Sequence, residues 1–500
     1  MIRLALERVP TQYPVRRKEL EALQRTILEG RDADTVWKSQ KTPFFSKLPV
    51  ELISEVFLFA MEADSAFPAL ACLVCSHWRT ISLSMPILWQ IVTLSYMAPV
   101  KKLTLWLERS KNRITGLRIR NTINRVQLYE ALSFCGSDFF SSLKSVYCEV
   151  DVVLLTSGLL NIPDVHELNL EDIHLSPPNR QVGTLSPLSP LVPLDRISTV
   201  RSLILDYITV DWSIVAPRLS HLRVLIIRTR NDGAPATEQL YGLLSANPYL
   251  EKLVLETESA MEVRHFRNNG RVVLAHISHL ELLGPMKAGT LVAQLFLPLL
   301  EHFTISRCLS PADQVMDALQ PSSMAITELS LQMCHFSPER LASFLKTKSR
   351  LTKLEITHTA SAMDVVVDAV AGSQQVADET TLACPQLKHV NFSHSTSLNG
   401  GPIVRLVKPR LTESVNPSLS SWLNSVPAKI ESIHIDGCPN IDPSVPEWLR
   451  SRVREISCTY MTKREARRIR QWNHHRFQEQ PSKMYSMLLS LIKVQNVTFS

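Results

Sequence analysis

Cysteine and histidine are the residues of this chain with the most open chemistry: nine thiols and fifteen imidazoles in 500 residues. The densest grouping is Cys72-x-x-Cys75, with His77 two positions on. Thiolates and imidazoles are zinc ligands, but a closed zinc site takes four, and no second C-x-x-C pair completes this one. The other cysteines are irregularly spaced, and an odd total in a chain without a secretory signal points to reduced thiols. No H-E-x-x-H, G-x-S-x-G, G-x-G-x-x-G or G-x-x-x-x-G-K-[ST] motif occurs, so a zinc hydrolase, a nucleophile elbow and a phosphate-cradling loop are all without support. No catalytic residue, metal ligand or cofactor site is assigned, and the expectation is a non-catalytic chain.

Composition agrees. Fourteen glycines against seventy leucines make the chain glycine-poor and leucine-rich, with few positions where backbone could approach a phosphate closely. Hydrophobic content of 45% and charged content of 20% suffice for a large core. A formal charge of +7, from 54 basic and 47 acidic residues, is too dilute to imply a nucleic-acid or membrane partner. The amino terminus lacks the apolar run of a secretory signal, and no stretch reaches the ~18 apolar residues of a spanning helix. The expected location is cytoplasmic, nuclear or both.

The elements that could position a binding surface begin with an amphipathic helix near residues 15–29, where Leu20, Leu23 and Ile27 share a face. A second helix starts at Leu48-Pro49, with proline expected at its first position, and carries a stripe of Leu52, Ile53, Val56, Phe57 and Ala60. A third places Ala71, Val74, Cys75 and Trp78 on one face, and Pro86-Ile87-Leu88-Trp89 follows. So few short helices cannot bury enough surface alone, and segments this small usually need a metal, a disulfide or a partner, so something must cover them.

These residues stand as Leu48-Pro49-Val50-Glu51-Leu52-Ile53-Ser54-Glu55-Val56-Phe57, then Val74-Cys75-Ser76-His77-Trp78-Arg79, then Pro86-Ile87-Leu88-Trp89. In that order the three blocks resemble an F-box. Val56 replaces a common isoleucine, and Ala69-Leu70 replaces the leucine-aspartate pair that usually opens the second helix. The resemblance implies docking on the Skp-type adaptor of a cullin ubiquitin ligase. Leu48, Pro49, Leu52, Ile53, Val56, Phe57, Val74, Cys75, Trp78 and Trp89 would carry the contact or its supporting core.

From residue 113 a template recurs: apolar, two variable, apolar, one variable, apolar. Its thirteen instances include Ile114/Leu117/Ile119, Leu143/Val146/Cys148, Val165/Leu168/Leu170, Val200/Leu203/Leu205, Leu222/Leu225/Ile227, Leu250/Leu253/Leu255, Leu351/Leu354/Ile356 and Val453/Ile456/Cys458. The alternation is that of a short strand, while segments such as 237–245 and 340–345 between the strands have helical spacing. The expected fold is an α/β solenoid: a small all-helical F-box followed by an irregular leucine-rich-repeat array of parallel strands. Cys308, Cys334 and Cys438 follow the last strand position by three residues, the slot where such repeats place Asn or Cys in the inner turn.

The expected division is an amino-terminal helix and linker over 1–42, the F-box over 43–92, a connecting strand and helix over 93–112, repeats over 113–461 and a basic tail over 462–500. Segments 176–196, 363–384 and 398–427 read as insertions looping off the rim. The whole resembles F-box proteins with carboxy-terminal leucine-rich repeats, a large fungal group of SCF-type substrate receptors. A client protein would then lie on the concave strand face. Leu253 and Leu255 are expected to point inward and Val254, Glu256, Ile226 and Arg228 outward, with Arg228, Arg230, Glu256 and His358 as client contacts. The competing expectation is a leucine-rich scaffold that binds its partner without any ligase.

Overall fold

The computed structural model describes residues 48–459 apart from 121, 136, 150–169, 178–198, 230–232, 259–270, 309–310, 321–324, 377–378 and 412–426. The expected helix near residues 15–29 and the basic tail fall outside the described residues. The chain separates into two compact units, Met1–Pro190 and Leu191–Ser500.

In the first unit, α1 (Val50–Ala63), α2 (Phe67–Val74) and α3 (Ser76–Ser84) are followed by a 3-10 turn over Pro86–Trp89. Pro49 is the N-cap of α1 rather than its first helical residue, and its carbonyl accepts from the amides of Leu52 and Ile53. Cys75 is extended between α2 and α3, and its sulfur accepts from the Trp78 amide at 3.5 Å, capping α3. Four strands follow: β1 (Ile91–Leu94), β2 (Gly116–Ile119), β3 (Ser145–Glu149) and β4 (Asp172–Ser176), all parallel to their neighbours. Registration stacks Val92, Leu117, Val146 and Ile173 in one buried row, and Leu94, Ile119, Cys148 and Leu175 in the next. The ladder thus starts at Ile91, ahead of the first recognisable template.

The β4 register goes beyond the sequence reading. The strand uses Leu170/Ile173/Leu175, five residues beyond Val165/Leu168/Leu170, of which Val165 and Leu168 lie outside the described residues. Leu170 serves both frames, so the pattern alone could not choose; pairing with Val146 and Cys148 does.

Among the described residues the second unit contributes ten strands to the main parallel sheet: β5 (Ser202–Asp206), β6 (Val224–Thr229), β7 (Lys252–Thr257), β8 (His279–Leu283), β9 (His302–Ser306), β10 (Glu328–Gln332), β11 (Lys353–Thr357), β12 (His389–Asn391), β13 (Ser432–His434) and β14 (Glu455–Ser457). Each pairs in parallel with the next. Helices such as Thr237–Ala246, Ala312–Leu319, Pro338–Lys346 and Gly400–Val407 return the chain between strands. Leu203, Leu225, Leu253, Leu280, Phe303, Leu329, Leu354, Val390 and Ile433 form one buried row. Full burial of each such side chain is worth about 1.5–3 kcal/mol, which makes the row the main stabilising feature. This is the α/β solenoid of strand-turn-helix repeats.

The turn after each strand is also repeated. Tyr207, Gly284, Arg307, Met333, His358, His394 and Gly437 are left-handed at equivalent positions. One residue later the chain fills the inner turn: the thiols of Cys308, Cys334 and Cys438 donate to the carbonyls of Leu282, Ile305 and Phe392 at 3.7, 3.7 and 3.2 Å. Ser395 occupies the same slot, its hydroxyl 3.4 Å from the Ile356 carbonyl. At Gly284, with φ +106°, a Cβ would stand 1.8 Å from the Thr257 carbonyl oxygen, so glycine is required there.

Two of the expected loops are structured. Within 363–384, Met363–Ala371 is a repeat helix, and Ser373–Val376 pairs antiparallel with Glu379–Leu382. Within 398–427, Gly400–Val407 is helical and a 3-10 turn covers Lys408–Arg410. The buried Arg410 donates to the carbonyls of Val370, Ala383 and Cys384, tying both ends of the hairpin down. No sequence pattern announces a salvaged insertion of this kind, because the carbonyls it needs come from two other segments. No helix among the described residues is long and apolar enough to cross a membrane.

Two outcomes follow from this packing. Gly284→Ala should destabilise the second unit by about 2 kcal/mol or more, through left-handed strain and the clash with Thr257, read as a lowered denaturant midpoint. Lys348 is 3% exposed, its ammonium lies 4.1 Å over the Phe344 ring, and burial lowers its pKa to about 8 from 10.5. Below pH of about 8 both states are protonated and the folded one bears the whole burial penalty; above it the unfolded state alone holds the extra proton, so native stability rises with pH. Lys348→Met should therefore be the more stable protein at neutral pH, by roughly 1 kcal/mol, with the advantage shrinking as pH approaches about 10.

Candidate functional site

The helical segment sorts its expected contact residues into two groups. Ile53, Phe57 and Trp89 are buried inside it, Leu48, Leu52, Val56 and Trp78 are half-buried, and Pro49, Val74 and Cys75 are exposed. The core is aromatic: Phe57 meets Phe67 and Trp78 edge-on, with centroids 5.2 and 4.9 Å apart. Trp89 donates to the Ser82 carbonyl at 2.8 Å, packs edge-on against Trp106 at 4.9 Å, and is covered by the Arg109 guanidinium at 4.2 Å. Trp106 donates in turn to the Ile91 carbonyl, so the tryptophan pair fastens the helices to the start of the strand ladder. Trp89 is therefore an internal rivet.

What remains uncovered is apolar. Leu73 is 76% exposed, Val74 60% and Leu70 53%, and Val50, Leu83 and Ile87 are also largely open. The source is α2, which has no charged residue: its Pro68, Ala71 and Cys72 face inward while Leu70, Leu73 and Val74 face solvent. Sequence reading singled out Val74 but missed Leu70, Leu73, Leu83 and Ile87. The available signal was an eight-residue helix apolar on every side inside a segment too small to bury all of it.

On the open face of the second unit, the expected client residues are partly engaged with one another. Arg228 bonds Asp206 at 2.5 Å and reaches Glu256 at 3.3 Å, while Arg307, two strands beyond, reaches Glu256 at 3.5 Å. Burial alone would lower the Arg228 pKa, but the hydrogen bond it donates to Asp206 and the charges of Asp206 and Glu256 outweigh it and raise it. Arg230 lies outside the described residues. Register puts Ile226 and Val254 on this face as expected, yet they are 9% and 1% exposed. Both are short side chains beside longer ones, Val254 having Lys252 and Glu256 on its own strand and Glu281 in the next, so they form floor rather than contact surface.

His358 sits in a left-handed turn with its ring stacked on His394, centroids 4.2 Å apart and planes at 12°. Burial lowers the His394 pKa against the opposing charge of Asp436. One face of His358 is thus already covered. Among the described residues no three His, Cys, Asp or Glu side chains converge as a metal site.

A basin of about 420 Å³ opens across β11, β12 and β13, with Leu354 and Val390 among its lining. Lys353, His389 and Ser432 form one row of its lining, and Glu355, Asn391 and His434 the other, each row in strand register. His389 and Ser432 are 2.9 Å apart, and Asn391 donates to Glu355 at 3.3 Å. Sequence reading did not find this basin, which needs three consecutive repeats to be seen together.

No family model and no curated protein matches the chain. Among solved structures, the complex of Rad7 and Elc1 in yeast is similar at TM-score 0.45 and 14% identity, over 87% of this chain and 96% of that one. The TLR13–ssRNA13 complex is similar at TM-score 0.33 and 12% identity, over 66% of this chain and 36% of that one. The leucine-rich repeat-containing protein LegL7 from Legionella pneumophila is similar at TM-score 0.26 and 13% identity, over 65% and 92%. At this distance the functional reading rests on the chain's own residues.

The charge network makes its own prediction. Arg228→Met should cost about 1 kcal/mol of stability, because it leaves the half-buried Asp206 and Glu256 without their shared cation. A double-mutant cycle with Glu256→Gln should show coupling of about 0.5 kcal/mol or more by denaturant unfolding.

Proposed function

We propose that this chain is a substrate receptor of an SCF-type cullin-RING ubiquitin ligase. Its helical segment, which resembles an F-box, docks on the Skp-type adaptor and through it on a cullin, and its repeats hold a client protein. The observation that carries the reading is the exposed set of Leu70, Leu73, Val74, Val50, Leu83 and Ile87 on a segment whose own core is already filled by Ile53, Phe57 and Trp89. Three of them, Leu70, Leu73 and Val74, stand on the single eight-residue helix α2, and exposed apolar side chains gathered on so small an element mark an interaction surface rather than a solvated one.

In this reading the chain performs no chemistry. It needs no cofactor, and ubiquitin transfer belongs to the other subunits. The repeats present a long surface of fixed side chains, so a client is held at low ordering cost. Its place of action is cytoplasmic, nuclear or both.

Titration of the full chain with a Skp-type adaptor tests this directly. Leu73→Asp and Val74→Asp should each weaken binding by about 2 kcal/mol, roughly 30-fold, with the circular dichroism spectrum unchanged because neither side chain is part of the core. His77→Ala should bind as the native chain does. If the native chain shows no adaptor binding, the ligase assignment fails and the repeats are left as a scaffold that acts without one.

A further inference from the structure

The carboxylates on the open strand face of the second unit are treated unequally. Asp206 and Glu256 share Arg228, with Arg307 also on Glu256; Glu281 is hydrogen-bonded to His279; Glu328 has His302 and Lys353 within 3.4 and 3.7 Å. Glu355 differs. Among the described residues it has no ion pair, and its Oε1 is held by two neutral amides, those of Gln332 and Asn391, each at 3.3 Å. Both bonds fall on one oxygen, so they orient the carboxylate without neutralising it, and neither of them uses Oε2.

The basin suits a ligand that brings the missing cation. Its volume of about 420 Å³ accommodates one long side chain, and its lining includes the imidazoles of His389 and His434 with Asn391 and Ser432. Lys353, the one lysine in the lining, is drawn across the strand toward Glu328, away from Glu355. A carboxylate fixed by neutral donors before binding loses little freedom when a cation arrives, so its attraction is not spent on ordering it.

We infer that the basin across β11–β13 is a subsite for a basic side chain, lysine or arginine, of an extended peptide segment, with Glu355 as its counter-ion. This rests on the reading that the strand face holds a client, and it gives that client a chemical class. In the middle of the face, by contrast, Arg228 and Arg307 already neutralise Asp206 and Glu256.

The test uses the full chain and four fluorescent peptides of about nine residues, capped at both ends and built on one Gly/Ser frame. Their alternate positions carry arginine, glutamate, phosphoserine or alanine, and binding is read by anisotropy at about 150 mM salt. The arginine peptide should bind best. Glu355→Gln, which keeps the size and hydrogen-bonding capacity of the side chain, should weaken it by about tenfold. Lys353→Met, which removes a repelling charge from the lining, should strengthen it severalfold, so the two variants move in opposite directions and misfolding cannot mimic both. Equal binding of the arginine peptide to the native chain and Glu355→Gln overturns the inference. So does binding of the glutamate or phosphoserine peptide that Lys353→Met abolishes, although that result leaves the client-holding reading standing. Binding of no peptide also overturns it, and adaptor titration of the same preparation then shows separately whether the ligase reading survives.

Discussion

In-register parallel pairing is the constraint from which the other features of the repeats descend. One strand with a single inward leucine buries too little to be stable, and the next strand is equally incomplete. Stacking them places Leu203 against Leu225, Leu225 against Leu253, and so on in one direction, so that every inward side chain is covered by its neighbours. The same register that closes the core dictates the open face. Once Leu354 and Val390 are paired, Glu355 must stand beside Asn391, and Lys353 beside His389. Binding residues on this face are thus arranged by leucines that no partner touches.

The sharp turns that end each strand are the second layer of the same constraint. A left-handed residue followed by a small hydrogen-bonding one lets the chain leave the sheet without abandoning the carbonyls of the preceding strand. Cysteine performs this at 308, 334 and 438, and serine at 395. The thiols are therefore explained as structural donors, and burial raises the pKa of Cys438 to about 12, which keeps it protonated and unreactive at neutral pH. The left-handed positions carry varied side chains, and where two histidines fall on adjacent turns they stack.

The helical segment obeys a different rule. It is small, and it fills its interior with Phe57, Trp78 and Trp89 by borrowing Trp106 and Arg109 from the element after it. That arrangement fastens one side and leaves the α2 side bare. An apolar helix with nothing among the described residues packed on its outer half is the physical basis for proposing a partner, and it separates residues that support the surface from residues that form it.

Much of this was legible in the linear chain. Twelve of the thirteen templates coincide with strands or their leading residues, and the cysteine slots were readable from a spacing of three, because period-2 alternation and a fixed turn geometry are local properties. Tertiary structure alone decided the rest. Leu170 fits two frames, and only pairing with β3 selected Ile173 and Leu175 as the strand residues. Val254 looked like contact surface by alternation, yet longer neighbours from its own and adjacent strands bury it. Arg228 looked free, yet its partners come from strands 22 and 28 residues away in sequence, Asp206 and Glu256. Trp89 stood among residues expected to carry the contact or its supporting core, and the aromatic packing on Trp106 puts it in the core. Local pattern determines which face of an element is apolar, whereas exposure and charge pairing depend on which other segments arrive, and that is settled only when the chain has folded.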